Sequence, residues 1–309
     1  MKLLTKSMQA AISRQMYNMA RDIDVAIYNA LDDAMPNEYV LDGLMFYMAK
    51  DGGFQGGLHI DNYNTNSSVY QVYEAYRIMS MVGIDNTCEH ELFDHMVNKS
   101  MNYLYNRAEL KDNMWNPNVE TNNKFAHHIM FEYNEENKKL FGYGPTAAIL
   151  GYTLEFCKPT KAYYKKALKM IDAMLKDFYN MNKLTKYEFI GFNSFVNSIK
   201  KLGLYKEELP MIEAKLTELA LNQVSTDFND LSSVHPLDCA MYLNDEKLNE
   251  LVSLQLDHII DSIAPHGLWD YQGSWGYDKY AEEDSAKLKW IGATTVNNYF
   301  ILKKYGRIE

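Results

Sequence analysis

Hydrophobic positions recur every three or four residues along most of the chain, which is the period of an amphipathic α-helix. Between 160 and 182, for example, Tyr164, Leu168, Ile171 and Leu175 form one apolar stripe with lysines beside it. The alternation of apolar and polar positions that marks a half-buried strand is rare. The pattern therefore predicts an all-α protein.

Two kinds of predicted helix alternate along the chain. Helices of the first kind are charged and apolar on one face, so they bury one stripe and leave the rest in water. They cover 6–33, 89–108, 160–182, 206–224 and 245–263, and 36–49 is assigned to the same outer kind. Helices of the second kind are apolar almost all round and are therefore expected to be buried on all sides. They cover 67–82, 145–157, 187–199, 235–243 and 286–302.

This alternation predicts two concentric rings of helices. An inner barrel wrapped by an outer one, with about 11 or 12 helices in all, is an (α/α)6 toroid. A solenoid would also alternate, but it needs a regular repeat, and the buried helices begin at uneven intervals. We expect residues 1–309 to form a single toroid domain.

The connecting loops point to the position of a functional site. Links from a buried helix to the next outer helix are short, whereas the opposite links are long and cover 50–66, 109–144, 225–234 and 264–285. In an alternating ring all links of one type lie at the same end. Long loops inside compact domains usually carry function, so we expect a site where these loops crowd one mouth of the barrel.

Composition narrows the class of protein. The net charge of −10 counts against non-specific nucleic-acid binding, which needs a basic surface. The three cysteines are far apart, which fits a reducing compartment. No apolar segment of a secretory signal or a membrane span is visible. We expect a cytoplasmic protein without nucleic-acid partners, and the sequence carries no signal for an oligomeric state.

The loop 264–285 concentrates side chains that suit substrate chemistry. Asp270 and Asp278 are candidate catalytic residues, because carboxyl groups act as general acids and bases. Trp269 and Trp275 are candidate substrate-binding residues, because indole faces stack on sugar rings and also shield carbocations. A loop that only covers the surface rarely needs so many large aromatic residues.

His59 and Asp61 are the candidate catalytic residues of the first long loop. In an extended segment they point the same way, so Asp61 could orient the imidazole and hold its pKa near neutrality. The alternative is hydrogen bonding confined to the loop. A zinc site would need further ligands, such as His127 or Asp270, that no spacing enforces. We predict neither a metal nor a cofactor.

Further candidate substrate contacts lie in the loop 109–144 and on the last helix. His127, His128 and Tyr143 are placed by the loop at the same mouth, although a packed histidine pair is the alternative. The last helix carries a polar stripe that is unusual on a buried helix and is expected to face the lumen. It consists of Lys287, Trp290, Thr294 and Asn297. By contrast, the i, i+3 pair Glu74 and Arg77 is interpreted as structural.

Two glycine–aromatic motifs resemble a known superfamily. Asp51-Gly-Gly-Phe before a serine-capped helix, and His266-Gly-Leu-Trp, are similar to the repeat of terpenoid cyclases and protein prenyltransferases. The last segment, from Ala286, looks like the closing helix of uncharacterised bacterial proteins of that fold. The resemblance implies an α/α toroid with a central cavity.

The chemistry of that superfamily has no counterpart in the motifs of this chain. Cyclases of this type use an Asp-x-Asp-Asp acid motif, and the nearest match, Asp22-Ile-Asp-Val, lacks its final pair. Prenyltransferases hold zinc with an Asp-x-Cys pair, whereas Asp238 and Cys239 are adjacent and point about 100° apart on a helix. His235 shares a face with Asp238 and could pair with it.

Three functions remain open from the sequence. The first is an enzyme that performs acid–base chemistry on a small molecule in a central cavity. The second is a carbohydrate-active enzyme, namely a glycosidase, lyase or epimerase, and the third is a protein that binds a ligand without turnover. A lumen lined by Phe, Leu and Met would favour isoprenoids, whereas Trp, Asp and Asn would favour sugars.

Overall fold

The computed structural model of the chain, which describes residues 1–277 and 279–309, is mainly α-helical. The described helices are α1 (Lys6–Met19), α2 (Asp22–Leu31), α3 (Tyr39–Met45), α4 (Val69–Met81), α5 (Glu91–Asn106), α6 (Glu135–Phe141), α7 (Gly144–Phe156), α8 (Ala162–Asn180), α9 (Lys186–Leu202), α10 (Leu209–Gln223), α11 (Pro236–Ala240), α12 (Glu246–Asp261) and α13 (Glu282–Lys304). The predicted all-α class is confirmed.

The strands are short and belong to the loops. β1 (Phe54–Gln55) pairs antiparallel with β2 (Ser67–Ser68), and β3 (Leu110–Lys111) pairs antiparallel with β4 (Met114–Trp115). The loop after β4 contains two 3-10 helices, Glu120–Lys124 and Ile129–Phe131. These elements give the long loops a fixed backbone path.

Helix burial follows the hydrophobic pattern for most elements, but α13, predicted to be buried on all sides over 286–302, is only partly buried, and its Leu288 is exposed. Every residue of α7 is buried, and most of α4 is buried, whereas α5, α8 and α12 bury one face. The cause is composition, because α7 carries only one charged residue, Glu155, and α8 carries lysines along its exposed side. None of the helices that the structure describes combines the length and the apolarity needed to cross a membrane.

The predicted continuous helix over 6–33 is wrong. It is two helices, because Ala20 and Arg21 adopt extended backbone angles between α1 and α2. The guanidinium of Arg21 fixes this break by donating hydrogen bonds to Asp24 and to the carbonyl of Gly57, 2.7 Å away, in a distant loop. α2 is also more deeply buried than an outer helix, through residues that include Ile23, Ile27, Tyr28 and Leu31.

Other boundaries also differ from the prediction. The helix expected over 235–243 ends at Ala240, because the backbone N–H of Tyr242 donates to the side-chain oxygen of Asn193 at 3.3 Å. The helix expected over 36–49 is reduced to α3, and the loop expected over 109–144 contains α6 near its end. Tertiary contacts therefore override the hydrophobic period at these ends.

Four of the buried helices, α4, α7, α9 and α11, pack against one another in chain order. α4 packs on α7, α7 on α9, and α9 on α11, while α13 packs on α2 and α1. The α7–α9 contact is the closest, because a Cβ on Gly191 would overlap the backbone of Gly144. The two ends of the described chain also meet, since Leu4 N–H donates to the Arg307 carbonyl at 2.7 Å and Glu309 N–H donates to the Leu4 carbonyl at 3.1 Å.

Candidate functional site

A cavity of about 1090 Å³ lies among the buried helices. All five helices that the sequence predicts as buried contribute side chains to its wall, namely α4, α7, α9, α11 and α13. The short α11 leaves room for α12, and the loops 225–234 and 264–285 complete the lining. The volume is slightly above the roughly 300–1,000 Å³ that is common for small-molecule sites.

Aromatic and hydrogen-bonding side chains dominate the cavity wall. The aromatic residues are Tyr70, Tyr73, Tyr152, Phe228, Tyr242, Trp269, Trp290 and Phe300. The amides and hydroxyls are Asn193, Asn197, Asn229, Gln255, Gln272, Asn297, Asn298, Ser80, Ser194, Ser262 and Thr294. Aliphatic side chains form a minority, and they are Met81, Ile190, Leu231, Leu237, Met241, Ile259 and Ile301. The cavity therefore suits a ligand with both apolar faces and many polar groups.

An ion pair between Glu74 and Arg77 is built into this wall. Arg77 Nη2 and Nε donate to the two carboxylate oxygens of Glu74 at 2.6 and 3.1 Å, and Arg77 Nη1 donates to Asn297 Oδ1 at 2.9 Å. Burial alone would raise the pKa of Glu74, but the charge and hydrogen bonds of Arg77 outweigh it, so the pKa lies below its usual value. Glu74 is therefore a carboxylate at neutral pH.

Tyrosine side chains surround the ion pair. Tyr73 belongs to the same helix turn as Glu74, and Tyr242 lines the wall near Arg77. Burial raises the pKa of both, for Tyr242 to about 12, although the charge of Arg77 opposes the shift of Tyr73. Each hydroxyl is therefore protonated at neutral pH and able to donate a hydrogen bond to a ligand.

His59 contacts this cavity from the first long loop. Its ring meets the rings of Trp290, Tyr70 and Phe131 edge-on, with centroid distances of 5.3, 5.2 and 4.9 Å. The predicted pairing with the Asp61 carboxylate is wrong, because Asp61 reaches His59 Nδ1 through its backbone N–H at 3.4 Å. Burial lowers the pKa of His59, so the imidazole is neutral at pH 7 and its proton lies on Nε2.

The Asp61 carboxylate holds two tryptophan side chains by hydrogen bonds. Its Oδ1 accepts hydrogen bonds from the indole Nε1 of Trp275 and of Trp290, each at 2.7 Å. The ring of Tyr271 stacks on Trp290, with centroids 5.0 Å apart and planes 9° apart. Asp61 is buried and lies behind the cavity wall, whereas Trp290 forms part of it. Asp61 therefore acts as an anchor that holds the Trp290 side chain of the cavity wall in place.

Three of the long loops meet at this anchor. The backbone N–H of His128 donates to the Asp61 carbonyl at 2.9 Å, and Ile129 N–H donates to the Trp275 carbonyl at the same distance. His127 pairs with Asn62 in an isolated antiparallel bridge. The predicted convergence of four long loops is therefore confirmed for 50–66, 109–144 and 264–285, whereas these contacts do not include the loop 225–234.

The histidine pair is packed inside these loops and does not line the cavity. His128 Nδ1 accepts from Met130 N–H at 3.0 Å and caps the second 3-10 helix. His127 Nδ1 lies 2.6 Å from the carbonyl oxygen of Phe125, and burial lowers the pKa of both histidines. The alternative of a packed pair describes this geometry better than substrate contact does.

The remaining candidates of the last loop and helix are divided between the wall and the surface. Trp269 and Asp270 line the cavity, and Asp270 lies at its exposed rim, 2.8 Å from His266 Nε2. Thr294 and Asn297 line it with Trp290, as the stripe predicts. Lys287 instead pairs with Glu283 at 3.1 Å. Asp278 lies outside the described residues.

Tyr143 and the pair of His235 and Asp238 also differ from expectation. The Tyr143 hydroxyl donates to Asp177 on α8 at 2.6 Å, which does not involve the cavity wall. Asp238 accepts from the backbone N–H of His235 at 2.9 Å and pairs with Lys186 at 3.3 Å, so the two side chains do not form the predicted pair. Both His235 and Asp238 nevertheless line the cavity.

Sequence reasoning missed the centre of the site. Tyr70, Tyr73, Glu74 and Arg77 form a polar stripe on α4, and all four line the cavity. The signal is the same as on α13, because a buried helix that carries polar side chains at helical spacing must satisfy them internally. Interpreting Glu74 and Arg77 as an ordinary ion pair concealed this signal.

The described residues contain no group of three or more His, Cys, Asp or Glu side chains arranged to hold a metal ion. Comparison of the chain with protein-family models, with curated proteins and with solved structures found no match. The chemistry of the cavity wall is therefore the basis for assigning a function.

Proposed function

We propose that the helices form an (α/α)6 toroid around the cavity. The inner ring would consist of α2, α4, α7, α9, α11 and α13, and the outer ring of α1, α3, α5, α8, α10 and α12. The alternation of burial, the packing of successive buried helices and the meeting of the two chain ends support this arrangement. A ring also accounts for one cavity lined by helices that are far apart in sequence.

Within this toroid, the cavity binds a carbohydrate or a similar hydroxyl-rich small molecule and the protein acts on it by acid–base chemistry. The single observation that carries this proposal is the wall of aromatic rings, amides and hydroxyls around the Glu74–Arg77 pair. Sugars present apolar ring faces that stack on tyrosine and tryptophan. Their hydroxyls donate hydrogen bonds to carboxylates and amide oxygens, and they accept hydrogen bonds from amide N–H groups and phenols.

Glu74 and Tyr73 are the side chains assigned to the reaction. Glu74 is ionised and buried, so it can accept a proton from a bound ligand or stabilise a developing positive charge. Tyr73 carries its proton, and because burial raises its pKa we assign it the donation of a hydrogen bond to the reacting oxygen of the ligand. A hydrolytic mechanism would need a second carboxylate, and the candidate for that role is Asp270, which lines the cavity at its exposed rim and contacts His266.

Isoprenoid chemistry fits the cavity less well. Aliphatic side chains are a minority of the wall, and charged groups and amides are spread over α4, α9 and α13. Desolvating this many polar groups against a hydrocarbon ligand would cost about 1–3 kcal/mol for each group that is left without a partner. The carbohydrate alternative is therefore the better supported of the two.

Calorimetric binding measurements would test the proposal. The probes are glucose, galactose, their uronic acids and farnesyl diphosphate, each titrated into the full chain. We expect sugars to bind and Tyr73→Phe to weaken their binding, while Tyr39→Phe removes the same hydroxyl from an exposed residue and leaves binding unchanged. Preferential binding of farnesyl diphosphate, or equal effects of the two variants, would contradict the proposal.

Turnover separates an enzyme from a binding protein. The sugar that binds most tightly and its methyl α- and β-glycosides, which offer a glycosidic bond to hydrolyse, are incubated with the chain and followed by nuclear magnetic resonance. We expect conversion that Glu74→Gln abolishes, with the fold checked by circular dichroism. Tight binding without any conversion would identify a binding protein and would reject the catalytic part of the proposal.

A further inference from the structure

Two lysines contact Tyr242 at one part of the cavity wall, and a third lines the same cavity. Lys304 places its Nζ 4.0 Å from the centroid of the Tyr242 ring, and Lys200 Nζ donates to the Tyr242 backbone carbonyl at 2.7 Å. Lys201, the neighbour of Lys200, lines the cavity together with Lys304 and Tyr242. Two lysine side chains therefore line this part of the wall, although the chain as a whole is acidic.

Carboxylates neutralise two of these lysines. Lys201 pairs with Glu155 at 3.0 Å and with Asp85 at 3.4 Å, and Lys200 pairs with Glu213. Among the described residues, Lys304 has no carboxylate within ion-pairing distance, and its ammonium contact is the face of the Tyr242 ring. One cation at this wall is thus left without a counter-charge.

The position of Lys304 on α13 does not by itself explain this arrangement. Lysines in the last turn of a helix often stabilise its C-terminal carbonyl groups. The adjacent Lys303 contacts the C-terminal end of α2 and the residues after it. It donates a hydrogen bond to the Leu31 carbonyl and pairs with Asp33 at 2.6 Å. Lys304 lines the cavity instead, although its side chain is exposed to solvent there, and partial burial and the nearby charge of Lys200 both lower its pKa. The negative charge of a bound anion would offset both effects.

We infer that Lys304 binds an anionic group of the ligand, so that the ligand is an acidic sugar carrying a carboxylate or a phosphate. This inference rests on the proposed function, because the amide and aromatic wall would hold the sugar ring while Lys304 holds the charge. The ammonium has three donors, and the Tyr242 ring occupies one side of it, which leaves donors for an oxyanion.

Calorimetry on matched sugars tests the inference. Glucuronic acid and galacturonic acid are each compared with glucose and galactose, and glucose 6-phosphate is the phosphate probe. We expect at least one acidic sugar to bind roughly tenfold more tightly than its neutral parent, since charge-assisted hydrogen bonds are about twice as strong as neutral ones. The relative affinities of uronate and phosphate ester identify which anion the site takes.

The variant Lys304→Gln tests whether the Lys304 side chain causes the preference for acidic over neutral sugars. The variant should bind acidic and neutral sugars alike, with the affinity for the neutral sugar unchanged. Lys169→Gln removes the same charge from the exposed side of α8 and should keep the preference. A preference that survives in Lys304→Gln, or that is also lost in Lys169→Gln, would overturn the role of Lys304.

The outcome also distinguishes this inference from the proposed function. Neutral sugars that bind in the cavity as tightly as acidic ones would leave the proposed function intact and reject the anion site. Failure of every sugar to bind would reject both. Binding of inorganic phosphate alone, without any sugar, would show a simple anion site and would also contradict an acidic-sugar ligand.

Discussion

Replacing Arg77 by methionine removes the counter-charge of the buried Glu74 carboxylate while keeping a long apolar side chain. Glu74 is 8% exposed, and both of its oxygens accept hydrogen bonds from Arg77. In the variant the carboxylate would remain in the cavity wall without a cation. Removing one partner of a buried ion pair costs about 3–5 kcal/mol, because the other charge is left uncompensated.

The stability lost in Arg77→Met should depend on pH, and the pKa of Glu74 determines the direction of this dependence. In the wild type this pKa lies below the usual value of 4.5, so the stabilisation by the pair is present above pH 4.5 and is lost as pH falls through the folded pKa. In Arg77→Met the main contribution that opposes burial is gone, and only the smaller effects of His59 and Arg21 remain, so the pKa of Glu74 should rise above its wild-type value. The difference in unfolding free energy should therefore be largest at alkaline pH and smaller at acidic pH.

Urea unfolding at pH 8 and pH 5, followed by circular dichroism, measures this difference. We expect a deficit of about 3–5 kcal/mol at pH 8 and a smaller one at pH 5. Arg14→Met, on the exposed side of α1, is the matched control and should stay within about 0.5 kcal/mol of wild type. A variant that matches this control at both pH values would refute the buried pair as a central feature of the wall.

Three further substitutions probe the anchor, the helix packing and a helix start. Asp61→Leu leaves the indole N–H groups of Trp275 and Trp290 without their acceptor. We expect the free energy of unfolding to fall by about 1–3 kcal/mol for each unpaired N–H and the tryptophan emission to shift. Asp61→Asn keeps an acceptor oxygen and should lose less stability. An equal loss in both variants would contradict the hydrogen-bonding role. Gly191→Ala should lower the free energy of unfolding in urea by roughly 3 kcal/mol. The control Gly83→Ala should lower it by roughly 1 kcal/mol, because Gly83 has open space around it but a positive φ. A smaller cost at Gly191 than at Gly83 would argue against the close α7–α9 contact. Thr185→Ala removes the capping box of α9 and should cost about 1 kcal/mol, more than the control Thr217→Ala inside α10.

The architecture was predictable where composition controls burial. A helix with almost no charged residues is expected to be buried on all sides; α7 is, and all five helices predicted on that ground line the cavity, although α13 is only partly buried. The break between α1 and α2 was not predictable, because both halves are amphipathic in a continuous phase. It is fixed by the contact of Arg21 with the carbonyl of Gly57, and no local pattern encodes a contact between a helix and a distant loop.

The candidate site was predictable in part for the same reason. Trp290 and Asn297 were found because their polar stripe is unusual on a buried helix, and both line the cavity. Glu74 and Arg77 were missed because an i, i+3 pair is common on helix surfaces. The role of Asp61 could not be predicted, since its indole partners are 214 and 229 residues away in sequence.

The most direct test of the central claim is a crystal structure of the full chain with the sugar that binds most tightly in calorimetry. The account predicts density for the sugar inside the cavity, with the ring against aromatic residues of the wall and hydroxyls within hydrogen-bonding distance of Glu74, Arg77 or Tyr73. Density for the sugar only on the outer surface, with the cavity filled by water, would contradict it.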